Sequence, residues 1–356
     1  MTPTLVLERA MAPLDALRSA CLRLFARSPT LSSLLFRRER RQALILTLHG
    51  AAAFVLALYA PGFLFLLAPI ALGAAHVASD VRYLVLRRSL PTAWKRVSLA
   101  ACGVLIAVRG AEELRLTSGA AALEVKLVIA WIVAAVVAGG RLRWSYRVYV
   151  ALAGTALIGS LALMNPGRSR LVFLHLHNLL AVVAWAFFSP RLLKPQRSAV
   201  LLILGAAALL ASGTLYSVSL TQRPLFGLHV LQMADWLAPG LRADYGVGLV
   251  TAYLFLQSVH YTIWLQLIPQ EEMSAQGTLT FRMSVRSALN DFGKVGSVAV
   301  VTGILLVIAG AFVQVHRARN LYLSFATFHG YLELAMLAYF AVAAQRPGSS
   351  DAASRS

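Results

Sequence analysis

What most limits the fold of this chain is a succession of apolar runs separated by short basic clusters. The runs read at about 43–60, 63–86, 97–109, 120–139, 146–164, 171–189, 198–219, 245–267, 293–315 and 321–343, about ten potential membrane spans in all. With 59% hydrophobic and 13% charged residues and a mean hydropathy of +0.71, a water-soluble domain could not hide this much apolar surface. In lipid every backbone N–H and C=O must be satisfied within the protein, and runs of this length do that as helices. The expected fold is therefore all-α. A polytopic membrane bundle over 43–344 follows a cytoplasmic amphipathic, basic segment at 1–42 and precedes a tail at 345–356 with a disordered composition.

The net charge of +19 does not call for nucleic acid, because the cations sit between apolar runs. Arg87, Arg88, Lys95 and Arg96, then Arg141, Arg143 and Arg147, then Arg191, Lys194 and Arg197, then Arg282 and Arg286 follow the even-numbered runs. The alternate loops carry fewer, such as Arg109 and Arg115, or Arg168 and Arg170. By the positive-inside rule both termini are expected in the cytoplasm, with the bundle in the inner membrane. Basic loops against anionic headgroups account for a pI of about 11.0. The third run is short and is followed by Glu112 and Glu113; if it did not cross, every later orientation would invert.

Leu7, Met11, Leu14, Leu17, Cys21 and Leu24 recur at three and four residues, with Arg9, Arg18, Arg23 and Arg27 between them. That pattern predicts a helix lying on the membrane surface, and no signal-peptide layout accompanies it. Between the seventh and eighth runs, Leu228 to Leu237 predicts a short interfacial helix with Trp236 at headgroup level. Cys21 and Cys102 are too few and too dissimilar in setting for a metal–thiolate site. No internal repeat or phosphate-binding loop is visible, and the oligomeric state is not encoded in any pattern here.

Chemistry enters through ionisable residues inside the apolar runs. His76 and Asp80 are four apart, as are His329 and Glu333, so each pair shares one helix face. His49 and His260 stand alone in their runs. At about 1.5 Å rise per residue, His49, His76, Asp80 and His260 lie roughly six to ten residues from the cytoplasmic side, with Glu333 near mid-depth. Such groups are expensive in lipid unless paired, protonated or metal-bound, which makes them site candidates. Imidazoles with carboxylates in an apolar pocket suit a first-row metal, iron or alternatively zinc, with His49, His76, His260 and His329 as ligands. Asp80 and Glu333 fit either as ligands or as orienters of the imidazoles. His175 and His177 point to opposite sides of a helix; His177, next to Asn178, is the reserve ligand, and His175 belongs at the interface. His229 and His316, in or beside loops, are expected to be solvated. Tyr83, Tyr261 and Tyr331 could line the cavity, Tyr261 with a catalytic part.

Ala75-His76-Val77-Ala78-Ser79-Asp80 keeps the histidine and aspartate of a PHGxxD stretch, without its proline and glycine. Gln257-Ser258-Val259-His260-Tyr261 echoes an HSxxH segment with one histidine. In these some forty residues the chain resembles the Brp/Blh family of integral-membrane beta-carotene 15,15'-dioxygenases. The resemblance implies a histidine-held non-haem iron and a long apolar substrate entering from the bilayer. The HxxxH and HxxHH boxes of membrane desaturases are absent. The function expected is thus a metal-dependent oxidoreductase or dioxygenase acting on a lipid-soluble small molecule, a carotenoid or other isoprenoid. The alternatives are a proton-coupled transporter using the same buried His, Asp and Glu, and a haem-binding electron-transfer protein.

Overall fold

A computed structural model describes residues 3–140, 145–188, 194–271 and 280–343. Arg141, Arg143 and Arg191 of the basic clusters, and the tail from 345, lie outside the described residues. Within them the regular structure is helical, apart from one isolated bridge between Leu225 and Leu228. Two helices, α1 (Pro3–Ala26) and α2 (Pro29–Phe36), lead into α3 (Arg38–Tyr59). The next helix runs without a break through α4 (Pro61–Ala68), a π-helical stretch Pro69–Gly73, α5 (Ala74–Asp80) and a second π-helical stretch Val81–Leu86. There follow α6 (Thr92–Glu113), α7 (Ala120–Gly139), α8 (Tyr146–Met164), α9 (Pro166–Phe188) and α10 (Lys194–Ala211), then the short α11 (Tyr216–Leu220) and α12 (Val230–Leu237). The helix α13 (Ala243–Thr262) continues through π-helical Ile263–Leu267 into α14 (Ile268–Glu271), and α15 (Phe281–Ala326) and α16 (Phe328–Val342) close the described chain. Six stretches are long and apolar enough to cross a membrane: Arg38–Tyr59, Pro61–Leu86, Ala120–Gly139, Tyr146–Met164, Lys194–Ala211 and Phe281–Val342. This is the architecture of a multi-pass membrane protein.

The bundle is built around α13. Every residue from Val250 to Trp264 is buried, polar Thr251, Gln257, Ser258, His260 and Thr262 included, so the helix is enclosed on all sides. Helices α3, α4, α9, α10 and α12 pack on it directly, while α16 lies against α7, α9 and α5. The α10–α13 approach depends on Gly248, where a Cβ would stand 2.8 Å from the Leu210 carbonyl oxygen. Beside the core, π-helical backbone recurs where the site will lie. Pro69 has no N–H to offer the preceding turn, and the ladder widens there, as π segments do. The second such helix, around Trp264, is tied to the first by the Ser79 hydroxyl, which donates to the Trp264 carbonyl at 2.7 Å.

Several boundaries differ from the periodicity reading. The run expected to 219 stops as a helix at Ala211, because Gly213 takes φ +74° and turns the chain against Asp244. The loop expected at 316–320 is helical, and the break falls earlier, at Gln314 (φ −154°, ψ 95°), with another at Gly293 (φ 66°, ψ −176°). The third run is a full helix, Thr92–Glu113, that carries Glu112 and Glu113 in its last turn. The short helix expected at 228–237 is present as α12, its N-terminus capped by the His229 side chain.

Candidate metal centre

Two helical pairs and one central histidine converge. His76 and Asp80 come from α5, His260 from α13, and His329 and Glu333 from α16. One ligand atom from each of the five lies within 4.8 Å of every other. Donors at about 2.2 Å on opposite sides of a single first-row ion would be about 4.4 Å apart, so the set is of the right size for one ion. His76 Nε2 and His260 Nε2 face each other at 2.6 Å. Asp80 Oδ2 stands 3.3 Å from the first, and Glu333 Oε1 stands 3.2 Å from the second. His76, Asp80, His260 and Glu333 are wholly buried.

Hydrogen bonding sets one imidazole's tautomer. His329 Nδ1–H donates to the Ala326 carbonyl one turn back, so its Nε2 keeps a lone pair; that Nε2 has no hydrogen-bond partner. Both Asp80 carboxylate oxygens are likewise buried without a hydrogen bond. Among the described residues no lysine or arginine forms an ion pair with Asp80 or Glu333; histidines stand against both, and a carboxylate oxygen of each lies within 4.8 Å of one of the other. Two fully buried carboxylates without a cation are costly unless protons or a metal neutralise them. Three imidazole nitrogens with two carboxylates are the donor set of a first-row metal.

The remaining expected site residues fall at different distances. His177 flanks the five, its ring centroid 5.3 Å from those of both His260 and His329, and its Nδ1–H donates to the Leu174 carbonyl at 2.8 Å. Tyr261 is buried with its ring 4.9 Å from that of His76. His49 stands apart: it hydrogen-bonds Ser258 at 3.0 Å on another side of α13. Tyr83 is also elsewhere, beneath the Arg82 guanidinium. Tyr331 stacks on Phe173 at 4.4 Å and donates to Glu124 at 2.7 Å. His175 binds the Leu237 carbonyl at 2.8 Å, and His316 the Phe226 carbonyl at 3.1 Å.

Beside the centre lies a charge network that reading the histidines alone did not bring out. Arg109 and Arg170 both reach Glu124, each at 2.8 Å, and Glu112, at 2.9 and 2.7 Å respectively. Its signal in the sequence was Glu124 inside the apolar run 120–139. A cavity of about 330 Å³ extends from Arg109 and Arg170 to His177 and His329, with Tyr261 on its wall. Set beside known proteins, the chain matches no family model, no curated protein and no solved structure.

Proposed function

We propose that this chain is a membrane-embedded, metal-dependent oxidoreductase acting on a lipid-soluble substrate, a carotenoid or other isoprenoid or lipid. The observation that carries the reading is the buried set His76, Asp80, His260, His329 and Glu333, which presents three imidazoles and two carboxylates with no cation of its own. Iron is the metal that fits an oxygenase, with zinc as the alternative. Bound there, it would supply a Lewis-acidic or redox centre to which oxygen and substrate have access. The part of the protein is to hold the His329 imidazole by its hydrogen bond to the Ala326 carbonyl, to exclude bulk water, and to place Tyr261 and His177 beside the reacting space. In the membrane we take about ten helices to cross, with both termini cytoplasmic, the bundle in the inner membrane, and α1 lying along the surface.

Turnover is the test. Purified protein supplied with ferrous iron and oxygen is offered beta-carotene and shorter isoprenoids, and products are identified by mass spectrometry with labelled oxygen. Label incorporated by the wild type and lost in His260→Ala is the expected outcome; no oxygen-dependent product from any lipid tested would count against the reading. A second reading, proton-coupled transport, draws on the Arg109–Glu124–Arg170 network and the cavity joining it to His329. Proton flux into liposomes by metal-free protein would favour it.

A further inference from the structure

The same cavity holds a cation that no carboxylate among the described residues matches. Arg319, in the part of α15 after the Gln314 break, is 6% exposed. Its Nε–H donates to the Phe65 carbonyl at 3.2 Å, and its Nη1–H donates to Asn320 Oδ1 at 3.0 Å. The guanidinium lies over the Phe65 ring, 3.6 Å from its centroid. Among the described residues no aspartate or glutamate forms an ion pair with it, whereas Arg109 and Arg170 on the same cavity are balanced by Glu112 and Glu124. A ring face and neutral acceptors lower the cost of a buried guanidinium without cancelling its charge. The groups around it are neutral too: Tyr253, Tyr322 and Gln257 share the cavity wall.

We infer that this cavity receives the carboxylate head of an amphiphilic lipid, with Arg319 as its counter-ion and the hydrocarbon leaving past Asn320. One guanidinium among neutral groups matches a monoanion, and its planar fork suits a carboxylate. Size argues for a head group and not a whole lipid. At roughly 330 Å³ the cavity is at the lower end of small-ligand sites, which span about 300–1,000 Å³. The remaining chain must lie outside. Asn320 is exposed and also borders a second cavity, where Leu114, Leu321 and Phe325 offer the chain an apolar side beside Glu113, Gln314, His316 and Arg317. The inference rests on the reading above in taking the cavity as the approach to the metal centre, and it narrows the substrate from any lipid to one bearing a carboxylate.

The test compares palmitate with hexadecanol, equal in chain length and differing in head charge, by equilibrium binding to the full chain in phosphatidylcholine nanodiscs, with metal content measured alongside. Wild type is expected to prefer palmitate by at least tenfold. Arg319→Gln should lose that preference while keeping its hexadecanol binding and metal content, and Arg319→Lys should keep part of it. Equal binding of the two lipids by wild type, or a preference that survives in Arg319→Gln, overturns the inference. Should Arg319→Gln not fold, a photoreactive fatty acid on wild type decides: labelling within 319–325 supports the site, and labelling elsewhere alone overturns it. Stoichiometric metal with no palmitate preference sinks this inference and leaves the metal centre. Arg319-dependent palmitate binding in metal-free protein does the reverse.

Discussion

Asp80 and Glu333 set the terms of the site. Each lies one helical turn from a histidine on its own helix, yet Glu333 meets His260 from another helix, so the carboxylates bracket the facing imidazoles. If the pair is kept for metal and not for folding, replacing both should relieve the empty protein. Asp80→Asn with Glu333→Gln is predicted to melt, metal-free, at or above the wild-type temperature and to gain nothing from added metal. A lower melting temperature in the metal-free state would show that the carboxylates stabilise the bundle directly. Gly73 tests the geometry around them. A Cβ at that position would fall on the Tyr322 phenol, so Gly73→Ala should destabilise by about 1–3 kcal/mol, read as a drop in thermal midpoint. At this scale the helical pairs were legible, because four-residue spacing puts two side chains on one face. His49 shows the limit. Depth along a helix can be read from the chain, but direction around it is set by packing, which turns His49 to Ser258.

Among the elements, α15 and α7 carry the informative strain and charge. The stretch of α15 between Gly293 and Gln314 has no buried residue, with Val295, Phe312 and Val313 more than four-fifths exposed, as expected of a helix facing lipid. Its first segment is held differently, by α1. Asp15 accepts the Phe281 N–H at 2.6 Å and the Arg282 Nε–H at 3.0 Å. Burial pushes the Asp15 carboxyl up, but these hydrogen bonds and the Arg282 charge outweigh it and hold the group below the usual carboxylate range. A depressed folded value means the tether is fully present above the ordinary aspartate pKa of about 3.9 and is lost as pH falls through the lower folded value. At neutral pH, Asp15→Ala should speed hydrogen exchange across the first turn of α15 and leave the centre unchanged; unaltered exchange there would refute the tether. In α7, Glu124 is 1% exposed and bonded to Arg109, Arg170 and Tyr331. Glu124→Gln leaves two partly buried guanidinium groups short of charge and is predicted to cost about 3–5 kcal/mol, measured by chemical or thermal unfolding. Helix ends followed local chemistry that the chain partly announced: Gly213 breaks α10 where the hydropathy runs on. The π segments left only Pro69 as a visible cue, and the Gln314 break left none, because Gln is compatible with helix.

For the whole molecule, alternation of apolar runs with basic clusters was enough to read an all-helical membrane bundle, since lipid leaves the backbone few choices. It could not say that α13 would be the enclosed axis, because hydropathy records burial in lipid and in protein alike. The orientation we infer predicts that green fluorescent protein fused after Ser356 folds and fluoresces, while alkaline phosphatase there stays inactive; the opposite pattern would reverse the topology. The five buried residues are proposed to bind one metal. The most direct measurement is elemental mass spectrometry of detergent-purified wild type beside His76→Ala, His260→Ala and His49→Ala. Near-stoichiometric iron or zinc is expected in wild type and His49→Ala, and is lost from the other two. Folded wild type without metal, even after loading, would contradict the proposal.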